Sequence, residues 1–282
     1  MSSTFTLKFW GVRGSLPVPG PDTVRYGGNT TCIELMLGPR RLIIDCGSGA
    51  YPLGRKLAAR GELEADLLFT HSHLDHVCGL PFFKPAYIHD AVIRCWAGHL
   101  GDTLGLDDVI SWLMAPALFP VPMTELKGCR LNTFKPGDEL DLGGGLLVQT
   151  CELNHPGGAV GYRIEHDGRS LVIAFDHEHG DERIDDGLLA FAKGADVMIY
   201  DATYTDDEYE AYRGWGHSTW SEGVRLAEKA GVGQTYMFHH AQDRTDDELD
   251  DIRRRIRAKS KACDVAIEGE SLTICTPALA EH

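Results

Sequence analysis

The run Leu67-Leu68-Phe69-Thr70-His71-Ser72-His73-Leu74-Asp75-His76 decides how this chain is read. Its first four residues are apolar or β-branched and read as a buried strand that ends at His71. Four ligand-type side chains then fall within six positions. Alternate residues of an extended chain point to one side, so His71 and His73 can present imidazoles to one ion. Asp75 and His76 follow a turn and can reach a second. Imidazole and carboxylate are the donors that Zn²⁺ accepts in open sites. The apolar strand before the run and Gly79-Leu80-Pro81 behind it set it apart from an ordinary polar loop.

Two ions need donors from elsewhere, and three further strand ends offer them. His155 follows the apolar Leu146–Val148 segment, in Leu153-Asn154-His155-Pro156-Gly157-Gly158. Asp176 ends the run Leu171–Phe175, where a carboxylate can bridge two cations and neutralise charge between them. His239 and His240 both end the strand Thr235–Phe238. A lone histidine is a weak signal. The order His-x-His-x-Asp-His, His, Asp, His, each at a strand end, is far more specific.

Outward from these positions, Thr6–Trp10, Thr31–Leu37, Arg41–Asp45, Ala91–Ala97 and Val197–Tyr200 read as strands. Gly27-Gly28-Asn29 and Gly47-Ser48-Gly49 punctuate the first of them. Tyr162–Glu165 and Ser170–Phe175 flank Asp167-Gly168, a strong hairpin signal. The clearest helix is Asp246–Lys259. Thr245 can cap it, acids fill its first turn and bases its last, and Leu249, Ile252 and Ile256 form an apolar stripe. Strands paired first as hairpins and later alternating with helices predict two sheets sandwiched between helices. Length suits one domain spanning 1–282, with an apolar insertion around 104–128. Pro116, Pro120 and Pro122 break any long helix in that insertion, which could roof a pocket, meet a second subunit or pack into the core.

Composition bounds the function. Formal charge is −15 and the sequence pI is about 5.2. Nucleic-acid binders commonly carry a basic patch, so the acidic balance speaks against a nucleic-acid partner. The eight cysteines form no C-x-x-C pair and read as reduced cytosolic thiols. No segment approaches the ~20 unbroken apolar residues of a membrane span. Met1–Leu7 lacks the pattern of a signal peptide, so the expected location is the cytoplasm.

With those residues in place, the sequence resembles the metallo-β-lactamase superfamily, in particular its ribonuclease Z and phosphodiesterase branch. The likeness covers most of the chain. Phe9-Trp10-Gly11-Val12-Arg13-Gly14-Ser15 and Tyr26-Gly27-Gly28-Asn29-Thr30 look like the opening of bacterial cyclic-nucleotide phosphodiesterase-like members, and Leu42-Ile43-Ile44-Asp45-Cys46-Gly47 like the family's early strand and turn. The resemblance implies an α/β fold, the αββα four-layer sandwich. It also implies two Zn²⁺ ions, with Mn²⁺ or Fe²⁺ as alternatives. His71, His73 and His155 would bind one ion, Asp75, His76 and His239 the other, and Asp176 would bridge both. The ungapped match from Ala230 to His239 selects His239 over His240. Gly216-His217-Ser218-Thr219 and Tyr200-Asp201-Ala202-Thr203 resemble two further segments of ribonuclease Z. They imply that His217 faces a scissile phosphate and Asp201 orients it. Locally, Thr219 and Glu222 can form a capping box, placing His217 just before a helix N-terminus that favours anions.

Departures refine the expectation. Ribonuclease Z carries a long tRNA-gripping arm between its third histidine and its bridging aspartate, whereas here that interval is 21 positions, enough for a hairpin. The bridging position is Asp176 rather than the Cys of zinc β-lactamases, and His73 stands where di-iron flavoproteins carry Glu. The expected activity is therefore hydrolysis of a small phosphodiester such as a cyclic nucleotide. Catalysis would rest on Asp75, His217 and Asp201, and a homodimer is compatible with the apolar insertion. Thioester or lactone hydrolysis, a ribonuclease Z-like RNA nuclease and a non-catalytic metal-binding protein are the alternatives. His177, Glu178 and His179 read as a polar loop at the mouth of the site. Arg13, Arg25 and Asn29 sit in Gly-rich loops and read as turn and surface residues, with substrate contact as the alternative, and His89, His99 and His166 read as surface histidines.

Overall fold

A strict alternation opens the chain. In β1 (Phe5–Gly11), Phe5, Leu7 and Phe9 are fully buried and the residues between them are half-exposed, the period of a strand with one face on a core. The computed structural model describes residues 4–101 and 104–274. Cys275 and both ends of the expected 1–282 domain lie outside the described residues.

β2 (Cys32–Leu37) and β3 (Arg40–Ile44) pair antiparallel with β1 in succession. Then α1 (Ala50–Arg60) carries the chain across to β4 (Glu64–Phe69), parallel to β3, as a parallel pair requires. The one-turn helix α2 (Leu74–Val77) follows. β5 (Val92–Ala97), α3 (Leu106–Leu113) and β6 (Cys129–Thr133) complete this half. A second sheet begins with the antiparallel strands β7 (Glu139–Asp141), β8 (Leu147–Leu153), β9 (Ala159–His166) and β10 (Arg169–Ala174). The β9–β10 turn is Asp167-Gly168, both at positive φ. α4 (Glu182–Ala192), β11 (Val197–Asp201), α5 (Asp206–Tyr209), α6 (Trp220–Ala230), β12 (Gln234–Phe238), α7 (Asp246–Lys259) and β13 (Cys263–Val265) then alternate, with β10 to β13 parallel. β14 (Ser271–Thr273) returns to pair with β1. The sheets are seven-stranded, ordered β14-β1-β2-β3-β4-β5-β6 and β13-β12-β11-β10-β9-β8-β7.

Three apolar layers bind these elements. Phe5, Leu7, Ile33 and Ile44 of one sheet meet Val148, Tyr162, Ile199 and Phe238 of the other. Leu53, Leu57 and Ile110 of α1 and α3 cover the outer face of the first sheet. Leu188, Val224, Leu249 and Ile256 of α4, α6 and α7 cover the second. Each face burying against a neighbour gives helix–sheet–sheet–helix, the expected four-layer sandwich. The insertion is divided. α3 ends before Pro116 and buries Leu106 and Ile110, with Met114 buried just past its end, while Trp112 and Leu118 stay exposed. Among the described residues, no helix is long and apolar enough to cross a membrane.

Candidate metal centre

The C-terminal ends of β3, β4, β10, β11 and β12 converge on one point. Asp45, His71, Asp176, Asp201 and His239 stand at or just past those ends. Asp45, Asp176 and His239 have φ of 59°, 60° and 61°, a left-handed conformation uncommon for non-glycine residues. Three such residues round one point mark a functional site, where local strain is tolerated because the surroundings impose it.

Two groups of donors form around Asp176. Its Oδ2 lies 3.6 Å from His71 Nε2 and 3.7 Å from His155 Nε2, and His155 Nε2 is 2.9 Å from His73 Nδ1. Its Oδ1 lies 3.3 Å from His76 Nε2 and 3.4 Å from His239 Nε2. Asp75 Oδ2 completes that second group, 3.2 Å from His76 Nε2 and 3.1 Å from His239 Nε2. One carboxylate oxygen thus faces each group. His240 is turned away: its Nε2 donates to the Ala266 carbonyl at 2.9 Å, and burial pushes its pKa down to about 3.

Neighbours fix the rings. His76 Nδ1 is 2.7 Å from Asp45 Oδ2, and that carboxylate also accepts from the Thr70 amide and hydroxyl. His239 Nδ1 meets the Thr203 hydroxyl at 3.0 Å. His155 Nδ1 donates to the Gly216 carbonyl at 2.8 Å. Holding the far ring nitrogen in this way sets the tautomer and aims the other at a cation. Gly14 and Gly216 leave the room this takes. A Cβ on Gly14 would lie 2.3 Å from the His239 ring, and one on Gly216 would lie 2.2 Å from His155 Nδ1.

The donor set fits divalent cations. His71 Nε2, His76 Nε2 and Asp176 Oδ1 are buried and make no hydrogen bond, an arrangement costly in a protein interior without a partner such as an ion. Burial and the neighbouring His76 hold His71 well below the usual histidine range, which leaves its lone pair available. Four sets of side chains, His71–His73–His155, His71–His76–Asp176, Asp75–His76–His239 and Asp176–Asp201–His217–His239, have donor atoms within 4.8 Å of one another.

Beside them stands a pair of different character. His217 Nδ1 is 2.8 Å from Asp201 Oδ2, and its ring packs 5.3 Å from His155 and 4.7 Å from His239. Asp201 is saturated: it also accepts from the amides of Asp176, His177 and Thr203 and from the Thr203 hydroxyl. Burial opposes charge on His217, but the Asp201 carboxylate outweighs it and pushes the pKa up to about 9. The Thr219 hydroxyl accepts from the Glu222 amide at 3.3 Å, whereas the Glu222 carboxylate turns to Arg225 instead of closing the expected capping box.

Several expectations change here. The loop at 177–179 is scaffold. His177 and Glu178 are buried, and Glu178 accepts from the Gly214 amide at 2.7 Å and the Gly216 amide at 2.7 Å. Arg13 is fully buried, its guanidinium donating to the carbonyls of Gly27, Ala241 and Arg244. His99 is no surface histidine either: it lies 2.8 Å from the Ser72 hydroxyl, with its ring 6.3 Å from His71. In each case a polar side chain satisfies groups distant in sequence, and no local pattern announces that. Arg25 does lie exposed, paired with Asp247 and Asp250.

A four-layer fold gathering these donors at its strand ends defines a metal-dependent hydrolase. A family model for the beta-lactamase superfamily domain matches residues 40–240, and the chain belongs to the metallo-β-lactamase superfamily. Ribonuclease Z of Bradyrhizobium sp. (strain ORS 278) is 29% identical over 329 aligned residues, covering 96% of this chain and 100% of that protein. Among solved structures, the metallo-beta-lactamase fold protein YhfI from Bacillus subtilis superposes with a TM-score of 0.73 at 17% identity, covering 96% of this chain and 100% of that one. The short form of human tRNase Z superposes with a TM-score of 0.68 at 17% identity, covering 96% and 99%.

These likenesses overturn the expectation that nucleic acid is not a partner, since the relatives are ribonucleases Z. The same relatives back the ribonuclease Z alternative better than the small-phosphodiester reading. Net charge sums the whole surface and says nothing of where on it the charge lies. It does not report what meets the cleft.

Proposed function

We propose that this chain hydrolyses phosphodiester bonds in RNA with the chemistry of ribonuclease Z but without its long arm, since the interval from His155 to Asp176 is filled by the β9–β10 hairpin with its Asp167-Gly168 turn. The observation that carries the reading is the Asp201–His217 pair, packed against two histidines of the centre and not needed to complete either donor group. Thioester or lactone hydrolysis would leave that pair without a phosphate to serve.

His71, His73 and His155 would hold one divalent cation, and Asp75, His76 and His239 a second, with Asp176 between them. Zinc suits the imidazole-rich set. The chemistry such ions supply when bound is acidification of water and neutralisation of phosphate charge. The chain's own residues do the rest. Asp201 fixes the His217 tautomer through Nδ1, which leaves Nε2 on the far side of the ring to face substrate. His217 then passes its Nε2 proton to the ester oxygen as a water oxygen bonds to phosphorus and the bond from that ester oxygen to phosphorus breaks. Asp201 keeps the imidazolium stable until that moment.

The test is incubation of the Zn²⁺- or Mn²⁺-loaded protein with a tRNA precursor bearing a 3′ extension, beside 3′,5′-cyclic nucleotides and a thioester panel. Endonucleolytic cleavage of the RNA, abolished by chelation, is the expected result. Turnover of cyclic nucleotides or thioesters with the RNA left intact would overturn the proposal.

A further inference from the structure

Two residues before His217 the chain exposes an indole. Trp215, on the loop between the 3₁₀ turn Glu210–Tyr212 and α6, is 63% exposed, and Tyr212, the last residue of that turn, is 38% exposed. Single exposed aromatics are common and need no explanation. These two are set apart by what they join. Tyr212 stacks on Tyr204 with ring centres 4.7 Å apart and planes within 5°. Tyr204 in turn stands edge-on to His217 at 6.0 Å. Trp215 meets the edge of Tyr212 at 5.3 Å. An aromatic staircase therefore climbs from the candidate general acid to solvent. With His217 and Arg244 it lines a cavity of about 210 Å³.

The platform is built on fixed backbone. Gly214 and Gly216, either side of Trp215, have φ of 88° and 87°, and the buried Glu178 carboxylate holds both their amides. A loop tied in this way presents its side chain without ordering cost when a partner arrives. The cavity's electrostatics decide which part of a substrate fits. Glu208, Asp243 and Glu248 line it against Arg244, which is itself paired with Glu208 at 2.6 Å. Away from His217, such a lining disfavours phosphate and accepts a neutral planar group. The volume lies below the roughly 300–1,000 Å³ of pockets that enclose a whole small ligand.

We propose that Trp215 and Tyr212 form a stacking subsite for the nucleobase next to the scissile phosphate of a single-stranded RNA end. This inference rests on the reading of the centre as an RNA phosphodiesterase. Every base has a π-face, so the subsite selects for the presence of a base and not for its identity.

The test compares wild type with Trp215→Ala and Trp215→Phe on a single-stranded oligoribonucleotide and on matched oligomers abasic at either nucleotide flanking the cleaved bond. A second readout is quenching of indole emission by AMP. On the intact oligomer, Trp215→Ala is expected to raise KM roughly 5- to 150-fold, the stacking of one base, with Trp215→Phe close to wild type. On one of the two abasic oligomers the wild-type KM rises to that of Trp215→Ala and the variant loses nothing further. AMP quenching is expected in wild type and absent in Trp215→Phe. Equal losses for Trp215→Ala on intact and on both abasic oligomers, or no loss on any, would overturn the subsite. If wild type cleaves no RNA, the functional reading fails by itself. AMP quenching that depends on Trp215 would then still support the platform, and its absence would overturn that too.

Discussion

The two donor groups either side of Asp176 are built differently. His71, His73 and His155 offer three imidazoles, and His73 is exposed to solvent. Asp75, His76 and His239 are all buried and include a carboxylate of their own. Their supports differ as well. The first group leans on a backbone carbonyl, Gly216, through His155. The second leans on the Asp45 carboxylate through His76 and on Thr203 through His239. A cation in the second group would therefore meet more negative charge and less water, and would be held more firmly. The first group is the open one, and its His155 leans on Gly216, the residue before His217.

The strongest way to break this contrast is to remove what both groups share. Asp176→Ala is expected to lose metal from both and to drive hydrolysis below detection, checked by elemental analysis beside turnover. Next in size, His217→Ala should lower kcat by roughly 10²- to 10⁴-fold, the worth of a general acid, while metal content stays at the wild-type level. Metal loss in that variant would make His217 a ligand. Then come two variants that split the groups. Asp45→Asn should weaken the second cation by about 10- to 100-fold, and Gly216→Ala should weaken the first by a similar factor. Competition with graded chelators reads each. Equal weakening of both ions by either variant would dissolve the distinction.

How far the sequence shows this centre follows the same line. The loop at 71–76 is legible because four donors sit on consecutive turns of one short segment, so spacing alone reveals convergence. α7 spans Asp246–Lys259, the bounds its cap and stripe predict, because both signals are local. The support for His155 is not legible. It comes from a glycine carbonyl 61 positions away, whose loop is pinned by Glu178, and a carboxylate serving backbone amides leaves no periodicity. The resemblance favours His239 over His240, but only the fold shows why their rings diverge: a left-handed backbone at His239 turns one inward and leaves the other on Ala266. The short strands β6, β7, β13 and β14 also escape a sequence reading. β6 and β14 bury none of their residues fully and β7 a single one, so no apolar alternation marks them, and β13 has only three residues to show it.

The smallest effect expected lies far from either group and serves as a control. Asp66 is buried on β4 and bridges Arg40 and Arg94. Burial alone would raise its pKa, but the two guanidiniums hold it below the usual 3.8. A carboxyl depressed in the folded state adds stability that is complete above its unfolded pKa and fades as pH falls through the folded one. Asp66→Asn should therefore cost about 1–3 kcal/mol near neutral pH. The difference from wild type should shrink once pH drops below about 4, as measured by urea denaturation. Metal content should not change.

Anomalous diffraction at the zinc edge, from crystals of protein loaded with Zn²⁺, bears most directly on the two-group centre. The expected map shows two peaks, one facing Asp176 Oδ2 among His71, His73 and His155, the other facing Oδ1 among Asp75, His76 and His239. A map with no peak beside Asp176, or with the metal on His217 and Asp201 instead, would contradict it.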